Sequence, residues 1–393
     1  MTYPQALLKR KIEAVLAYPF VLLGKLFSPF FPLRTKHGIF IFCPSADIGG
    51  SIKVNIDLCE CFAHHHPLVI FSKKPKNNEF LSLFNIEGVT VIDLHKYIDN
   101  KFFHFINIFF RGVISSWINS QEKTVVLGGE SLYFYKVLPY INKKIKRVEL
   151  SHLNTWFNYN QAFIKDIDLR IFSTHKIKRD AINLYERNNL TKELYSRLLF
   201  IDNMVPIPDA IEIDNTTLSV VFIGRGAPQK RVHLIAAIAK RVHLLKLNTH
   251  FSFVGDVEKV INPADYPYCT FYGNVKDKSK METIYETSDV LLLTSAFEGL
   301  PIAVMEMMAY GKVVVSTAVD GIPDYITDGV NGFLLENNPD ENKIVEEAVT
   351  VLAKIESDRS LLKNAGKQSR EYALQHFKRD VFCKNYSRLL FEE

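Results

Sequence analysis

The sequence predicts an α/β protein built from two doubly wound parallel sheets, and three observations predict it. Short apolar runs recur at 38–43, 68–71, 89–92, 124–127, 147–150 and 169–172, and again at 219–223, 251–254, 269–272, 289–293 and 313–315. Segments with helical patterning lie between them, the alternation that builds parallel sheets. A polar stretch at 203–217 with two prolines splits the runs into two sets and reads as a linker. A chain of 393 residues, 47% hydrophobic and 23% charged, is long enough for two globular domains and argues against long disorder. The expected division is a basic, aromatic arm at 1–34, a first domain at 35–205, a second at 206–375 and a closing helix at 376–393.

The net charge of +5 is mildly basic. It is too weak to imply a nucleic-acid partner, and it suits a phosphorylated substrate or an anionic membrane surface equally. Five cysteines, an odd number without framework spacing, argue for a reducing compartment, hence the cytoplasm. Cys59, Cys61 and the run His64, His65, His66 lie close in sequence. However, C-x-C without a second distant pair is not zinc spacing, so a solvated helix end is preferred.

In the arm, KRKIEAVLAYPFVLLGKLFSPFFPLR, the apolar centre at 14–24 is shorter than the ~20 residues that span a bilayer, and Pro19 interrupts it. No small-x-small cleavage site follows. Two readings stand side by side. One is an interfacial segment with aromatics at the lipid boundary and Lys/Arg on phospholipid; the other is a helix packed on the protein's own surface. The aromatic run at 101–110 is expected in the core or facing a membrane.

The run at 38–43 (GIFIFC) lacks alternation, as a strand buried on both faces does. Asp47, Ile48, Gly49, Gly50 and Ser51 then lead into a helix expected at 52–63. A buried strand, a glycine turn and a helix start make an anion site, because backbone N–H groups and the dipole point the same way. Ser151 and His152 follow the strand at 147–150, at the end of the sheet where ligands bind. There His152 can donate to a ligand hydroxyl or shuttle a proton; equally, nearby backbone can satisfy its imidazole. His175 and Lys176 are weaker candidates of the same kind.

In the second domain, the strand at 219–223 is followed by Gly224, Arg225, Gly226, Ala227, Pro228, Gln229 and Lys230, then by an amphipathic helix. The third glycine of a dinucleotide fingerprint is missing. The loop offers Arg225 and Lys230 instead, a planar fork and a point charge that can converge on a diphosphate. The alternative is a solvated basic helix start, but cations there oppose the helix dipole, and an anionic ligand would relieve the conflict. The densest constellation is FEGLPIAVMEMMAYGKVVVSTAVDGIPDYITDGVNGFLL at 297–335. Pro301 suits the first turn of a helix, and Glu306 is the one carboxylate on that greasy helix. Glu298 stands beside Gly299, where backbone can approach a ligand closely. Carboxylates on apolar ground need donors, which backbone N–H groups or sugar hydroxyls can supply.

These residues resemble the retaining family-4 glycosyltransferases of the GT-B fold. The likeness is carried by Glu298 and Glu306 with seven residues between them, by E-G-L-P at 298–301, by G-I-P at 321–323 and by D-G-V-N-G-F at 328–333. The resemblance implies two Rossmann-like domains facing each other across a cleft, with the last helix returning to the first domain. It implies that Glu298 meets the donor hexose and Glu306 the ribose, with Gly299, Leu300 and Pro301 in the same donor site. Arg225 and Lys230 would bind the donor phosphates, backbone near Val275 would read the base, and Gly49 and Gly50 would approach the diphosphate and acceptor. His152 would lie by the donor sugar.

The implied reaction moves a sugar from a nucleotide diphosphate sugar, a UDP-sugar, to an acceptor hydroxyl with retention. The setting implied is cell-surface polysaccharide, lipopolysaccharide or glycolipid assembly, with a saccharide or lipid-linked saccharide as acceptor. No cofactor and no metal are expected, since Asp166-Ile167-Asp168 reads as a solvated turn at the end of the sheet away from ligands. The expected location is the cytoplasm, peripheral on the inner face of the cell membrane. The rival readings are a non-catalytic nucleotide-sugar-binding protein and a nucleotide-sugar epimerase of the same fold. The arm departs from the family pattern and leaves the acceptor side open.

Overall fold

The computed structural model describes residues 1–99, 104–152, 157–209, 216–298 and 302–392. Two units make up the chain: Met1–Ile201 with Cys383–Glu393, and Asp202–Phe382. The divisions thus fall at 201/202 and 382/383, where the sequence placed borders at 205/206 and 375/376.

The first unit contains β1 (Ile39–Cys43), β2 (Leu68–Phe71), β3 (Thr90–Asp93), β4 (Val125–Gly128), β5 (Lys146–Ser151), β6 (Leu169–Phe172) and β7 (Leu198–Phe200). They form one sheet in the order β3-β2-β1-β4-β5-β6-β7, with every pair parallel. Every residue of β1, β2 and β4 is buried, which is why they read as unbroken apolar runs. β7 was not expected; it is three residues long and sits at the sheet edge. The second unit contains β8 (Leu218–Ile223), β9 (Thr249–Val254), β10 (Cys269–Gly273), β11 (Val290–Leu293), β12 (Val313–Thr317) and β13 (Phe333–Leu335). Their order is β10-β9-β8-β11-β12-β13, again all parallel. Strand order reverses between β1 and β4 in one sheet and between β8 and β11 in the other. The carboxyl ends of those strands open the crevices where doubly wound sheets hold ligands.

The arm is a single helix, Tyr3–Phe27, and Pro19 lies within it instead of ending it. By length and composition alone Tyr3–Phe30 is apolar and long enough to cross a membrane, although its apolar centre at 14–24 is short. Tertiary contacts hold the helix against unit 1. A side chain at Gly24 would start 1.9 Å from the Phe109 carbonyl oxygen, and one at Gly112 would start 2.1 Å from that of Val21. The two glycines therefore let this helix and His104–Asn119 pack backbone to backbone. Glu13 accepts from Arg111 at 3.0 Å and Lys136 at 2.7 Å, and Arg10 pairs with Asp166. Of the aromatic run at 101–110, residues 101–103 lie outside the described residues, while Phe110 is buried.

Two further expectations are corrected. Asp166 and Asp168 are ion-pair partners, not a solvated turn: Asp168 takes the Arg147 guanidinium at 3.0 Å. Cys61 and Cys383 form a disulfide, so cysteine usage no longer argues for a reducing compartment. His64 and His66 are exposed, as at a solvated helix end, while His65 is half-buried with its ring stacked on Phe391 of the Arg379–Phe391 helix at 3.9 Å. Among the described residues no three His, Cys, Asp or Glu side chains gather as a metal site. The stretch after Ile201 is tied down within unit 2. The Val205 N–H donates to the Phe377 carbonyl at 3.2 Å, and Tyr325 donates to Asp202 at 2.9 Å.

Candidate functional site

In unit 2 the loop after β8 is shaped by its neighbour. A side chain at Gly226 would start 2.2 Å from the Asp256 carbonyl oxygen, and one at Gly255, whose φ is +121°, would start 1.8 Å from that of Gly224. Gly226 N–H donates to the Asp256 carboxylate at 2.8 Å. The G-R-G sequence thus lets the loops after β8 and β9 touch through their backbones. That contact turns Arg225 outward, where its guanidinium makes no ion pair or hydrogen bond among the described residues.

A single 3-10 turn, Pro228–Lys230, leads through Arg231 at φ +45° into the helix Val232–Leu244. This turn is laced to the segment after β11. The Ala296 N–H donates to the Gln229 carbonyl at 2.8 Å, and the Gln229 amide donates to the Phe297 carbonyl at 2.7 Å. Arg231 donates to the carbonyls of Thr294 at 2.6 Å and Ser295 at 2.9 Å. The lacing brings Lys230 onto Glu298. Their side chains form an ion pair while only 12% and 5% exposed, and the Ser295 hydroxyl donates to the same carboxylate oxygen at 2.7 Å. The Glu298 N–H donates to Asp320 at 2.7 Å.

Two residues predicted for separate tasks, one on phosphate and one on hexose, are therefore direct partners. The helix-start cations also find intramolecular acceptors: a carboxylate for Lys230 and carbonyls for Arg231. Glu306, on the helix Ile302–Ala309, accepts from the Tyr285 hydroxyl, and Tyr285 stacks on Tyr310 with ring centroids 5.2 Å apart. Val275 follows β10, the edge strand, two places from β8. Gly299, Leu300 and Pro301 lie outside the described residues.

In unit 1, Gly49 caps the helix Gly50–Cys61 at the carboxyl end of β1. Its backbone is extended, and a side chain there would meet no atom of the described residues within 4 Å, so their packing does not demand glycine. Beside it, burial raises the pKa of Asp47, but N–H groups of Asn78, Asn77 and Lys76 and the Ser45 hydroxyl outweigh burial and pull it down to about 2. Asp47 is thereby fixed as a structural anion that ties the 76–78 backbone to the β1 loop.

His152, just past β5, donates its backbone N–H to Glu130 at 3.2 Å, and Glu130 follows β4. The His152 Nε2 is buried with no partner among the described residues, and burial lowers its pKa to about 4, so the ring is neutral at pH 7. Burial lifts Glu130 to about 7, with the His152 N–H opposing and the Glu149 charge adding. Beneath them Glu149 is fully buried against Arg170, at 2.6 and 2.9 Å, and the Tyr135 hydroxyl at 2.8 Å. The weaker candidates are accounted for locally: His175 packs on Phe200 at 3.8 Å between ring centroids, and Lys176 pairs with Asp180 at 2.9 Å.

Residues 206–372 match the family model for glycosyl transferases group 1. The matched segment is less than half of the chain and lies within unit 2. The chain is 24% identical over 246 residues to the N-acetyl-alpha-D-glucosaminyl L-malate synthase of Bacillus anthracis, covering 58% of this chain and 61% of that one. It is 22% identical over 257 residues to the lipopolysaccharide 1,2-N-acetylglucosaminetransferase of Salmonella typhimurium, covering 60% and 65%. It spans between 37% and 65% of the length of the first curated relatives it matches. Among solved structures, Anabaena HepE in complex with UDP and glucose aligns with a TM-score of 0.69 at 15% identity, over 90% of this chain and 99% of that one. With its two parallel sheets, the chain has the GT-B fold.

Within the matched segment, sequence reasoning gave no role to Ser295, Asp320 or Arg231, which hold Glu298 and its loop. Ser295 had a signal, since it lies two positions past the β11 run. Asp320 and Arg231 had none, because their work is to hold backbone far away in sequence. In unit 1 it passed over Glu130, whose signal was a carboxylate directly after a buried strand and two glycines.

Proposed function

We propose that the protein is a retaining family-4 glycosyltransferase. It moves a sugar from a UDP-sugar to an acceptor hydroxyl in the assembly of cell-surface polysaccharide, lipopolysaccharide or glycolipid. The observation that carries the reading is the Lys230–Glu298 pair, set at the carboxyl ends of β8 and β11 beside the outward Arg225. A diphosphate leaving group gathers negative charge as the anomeric C–O bond breaks, and two cations already in place, the part-buried Lys230 and the exposed Arg225, stabilise it. Glu298, fixed by Lys230 and Ser295, orients the hexose, Glu306 takes the ribose, and neutral His152 offers its ring to a hydroxyl of the transferred sugar. The new C–O bond forms on the face that the leaving group vacates, and the acceptor's proton passes to the departing diphosphate oxygen. The UDP named with HepE and the lipopolysaccharide acceptor named for the Salmonella relative support the donor and acceptor class.

The test is transfer from a panel of UDP-sugars to saccharide and lipid-linked saccharide acceptors, with the anomeric configuration of the product read by NMR. Retained product is expected, and its yield should be unchanged by chelator, because the two cations neutralise the diphosphate. Rates that collapse with chelator and return with magnesium would overturn the metal-free part. An isomerised nucleotide sugar formed without acceptor would identify an epimerase instead, and donor binding without turnover a non-catalytic binder.

A further inference from the structure

The N-terminal helix has two opposed faces. At about 100° per residue, Ala6, Arg10, Glu13, Ala17, Val21 and Gly24 fall on one stripe. This is the face that packs on unit 1, with Ala6, Ala17, Val21 and Gly24 buried. The opposite stripe carries Leu8, Ile12, Val15, Leu16, Leu26 and, just beyond the helix, Phe30. Val15 is 73% exposed, Leu16 70% and Phe30 77%. On the same wheel Lys9 borders the outward stripe on one side, and Lys11 and Lys25 border it on the other. Residues 1–34 hold five cations and a single acid, Glu13, which Arg111 and Lys136 already neutralise.

We propose that this outward stripe lies in the plane of an anionic bilayer. Its apolar side chains enter the acyl boundary, while the flanking lysines reach lipid phosphates along their own alkyl stems. Charge selects this occupant over a second copy of the chain. A two-fold contact sets the same patch against itself, so the lysines of both copies would face one another. The packing selects a helix lying flat over a spanning one. To cross the bilayer, the helix would have to leave the Gly24–Gly112 contact and strip Arg10 and Glu13 from Asp166, Arg111 and Lys136. The inference deepens the proposed function by placing a lipid-linked acceptor at the surface on which the enzyme rests, and it is tested without turnover.

The experiment is flotation of the full chain with vesicles of phosphatidylcholine, alone or mixed with phosphatidylglycerol. The chain should float with the mixed vesicles, float less with phosphatidylcholine alone, and be released in part by high salt. The double variant Val15→Glu/Leu16→Glu places acids on the outward stripe and touches none of the packed residues. It should melt at the wild-type temperature and lose flotation, and Lys9→Glu/Lys25→Glu should lose the preference for the anionic vesicles. A wild-type chain that stays at the bottom of the gradient, or a double variant that floats as well as wild type, overturns the proposal. So does light scattering that shows a wild-type dimer made monomeric by the double variant, since a second copy would then be the occupant. Failure here leaves the transfer reaction untouched, and failure of transfer leaves flotation untouched.

Discussion

Arg225 and Lys230 sit in one loop, yet their surroundings predict different consequences of removal. Lys230→Ala leaves the 5%-exposed Glu298 carboxylate without its cation. Breaking a buried pair from one side costs about 3–5 kcal/mol, so both melting temperature and turnover should fall. Arg225→Ala removes an exposed group; stability should stay within about 0.5 kcal/mol while turnover falls more than about tenfold. Calorimetry beside steady-state kinetics separates the two, and an Arg225→Ala enzyme with full turnover would remove that residue from the donor site. Gly49→Ala is the complementary case in unit 1: with no atom of the described residues within 4 Å of the added methyl, the fold should be unaffected, so any loss of activity reports crowding of a ligand. Glu130 and His152 make a pH prediction. His152, lowered from 6.5 to about 4, contributes stability that is complete above 6.5 and lost as pH falls toward 4. Glu130, raised from 4.5 to about 7, contributes stability that is complete below 4.5 and lost as pH rises toward 7. Between 4.5 and 6.5 their effects oppose each other. Glu130→Gln should therefore steepen the rise of stability with pH across that window relative to wild type, and His152→Gln should tilt it downward. Urea midpoints measured through the window decide this; parallel curves for all three proteins would contradict it.

At the scale of elements, the contact between the N-terminal helix and His104–Asn119 depends on two missing side chains. Gly24→Val or Gly112→Val forces a methyl group onto a backbone carbonyl, so the helices must splay. Overpacking of this kind costs about 1–3 kcal/mol, visible as a lowered urea midpoint. These glycines also mark where sequence reading stops. The strands were legible because a strand buried on both faces must be apolar throughout, and β1, β4 and β11 stand close to where their runs predicted them. β7 was not legible, since three apolar residues at an edge are too few to stand out. The Arg225–Lys230 loop was legible as a cation-bearing turn after a strand. Its glycines were not, because their purpose lies in the neighbouring loop at Gly255. Glu298 and Lys230 were each identified, but their pairing was not: a bond between residues 68 positions apart leaves no local pattern. The arm was legible as a basic, apolar segment; its two faces and the continuity of the helix through Pro19 came only with the packing that holds it.

On the scale of the whole chain, the Cys61–Cys383 bond joins residues 322 positions apart and ties the closing helix into unit 1. Reduction, or Cys383→Ser, should lower the stability of unit 1 by about 2–4 kcal/mol. Melting with and without a thiol reductant measures it; coincident curves would show that the bond contributes nothing. A chain cut after Phe382 should lose Lys146's acceptor at the Leu389 carbonyl and the Phe62 and His65 contacts to Phe391, all of which lie in unit 1. Because unit 1 is assembled from both ends of the polypeptide, unit 2 is an insertion within it. Residues 1–201 precede the closing helix in the chain, so the contacts of Lys146, Phe62 and His65 with that helix form only after residues 202–382 have been made. The segment at 1–201 therefore goes without that helix for as long as the inserted unit is being made.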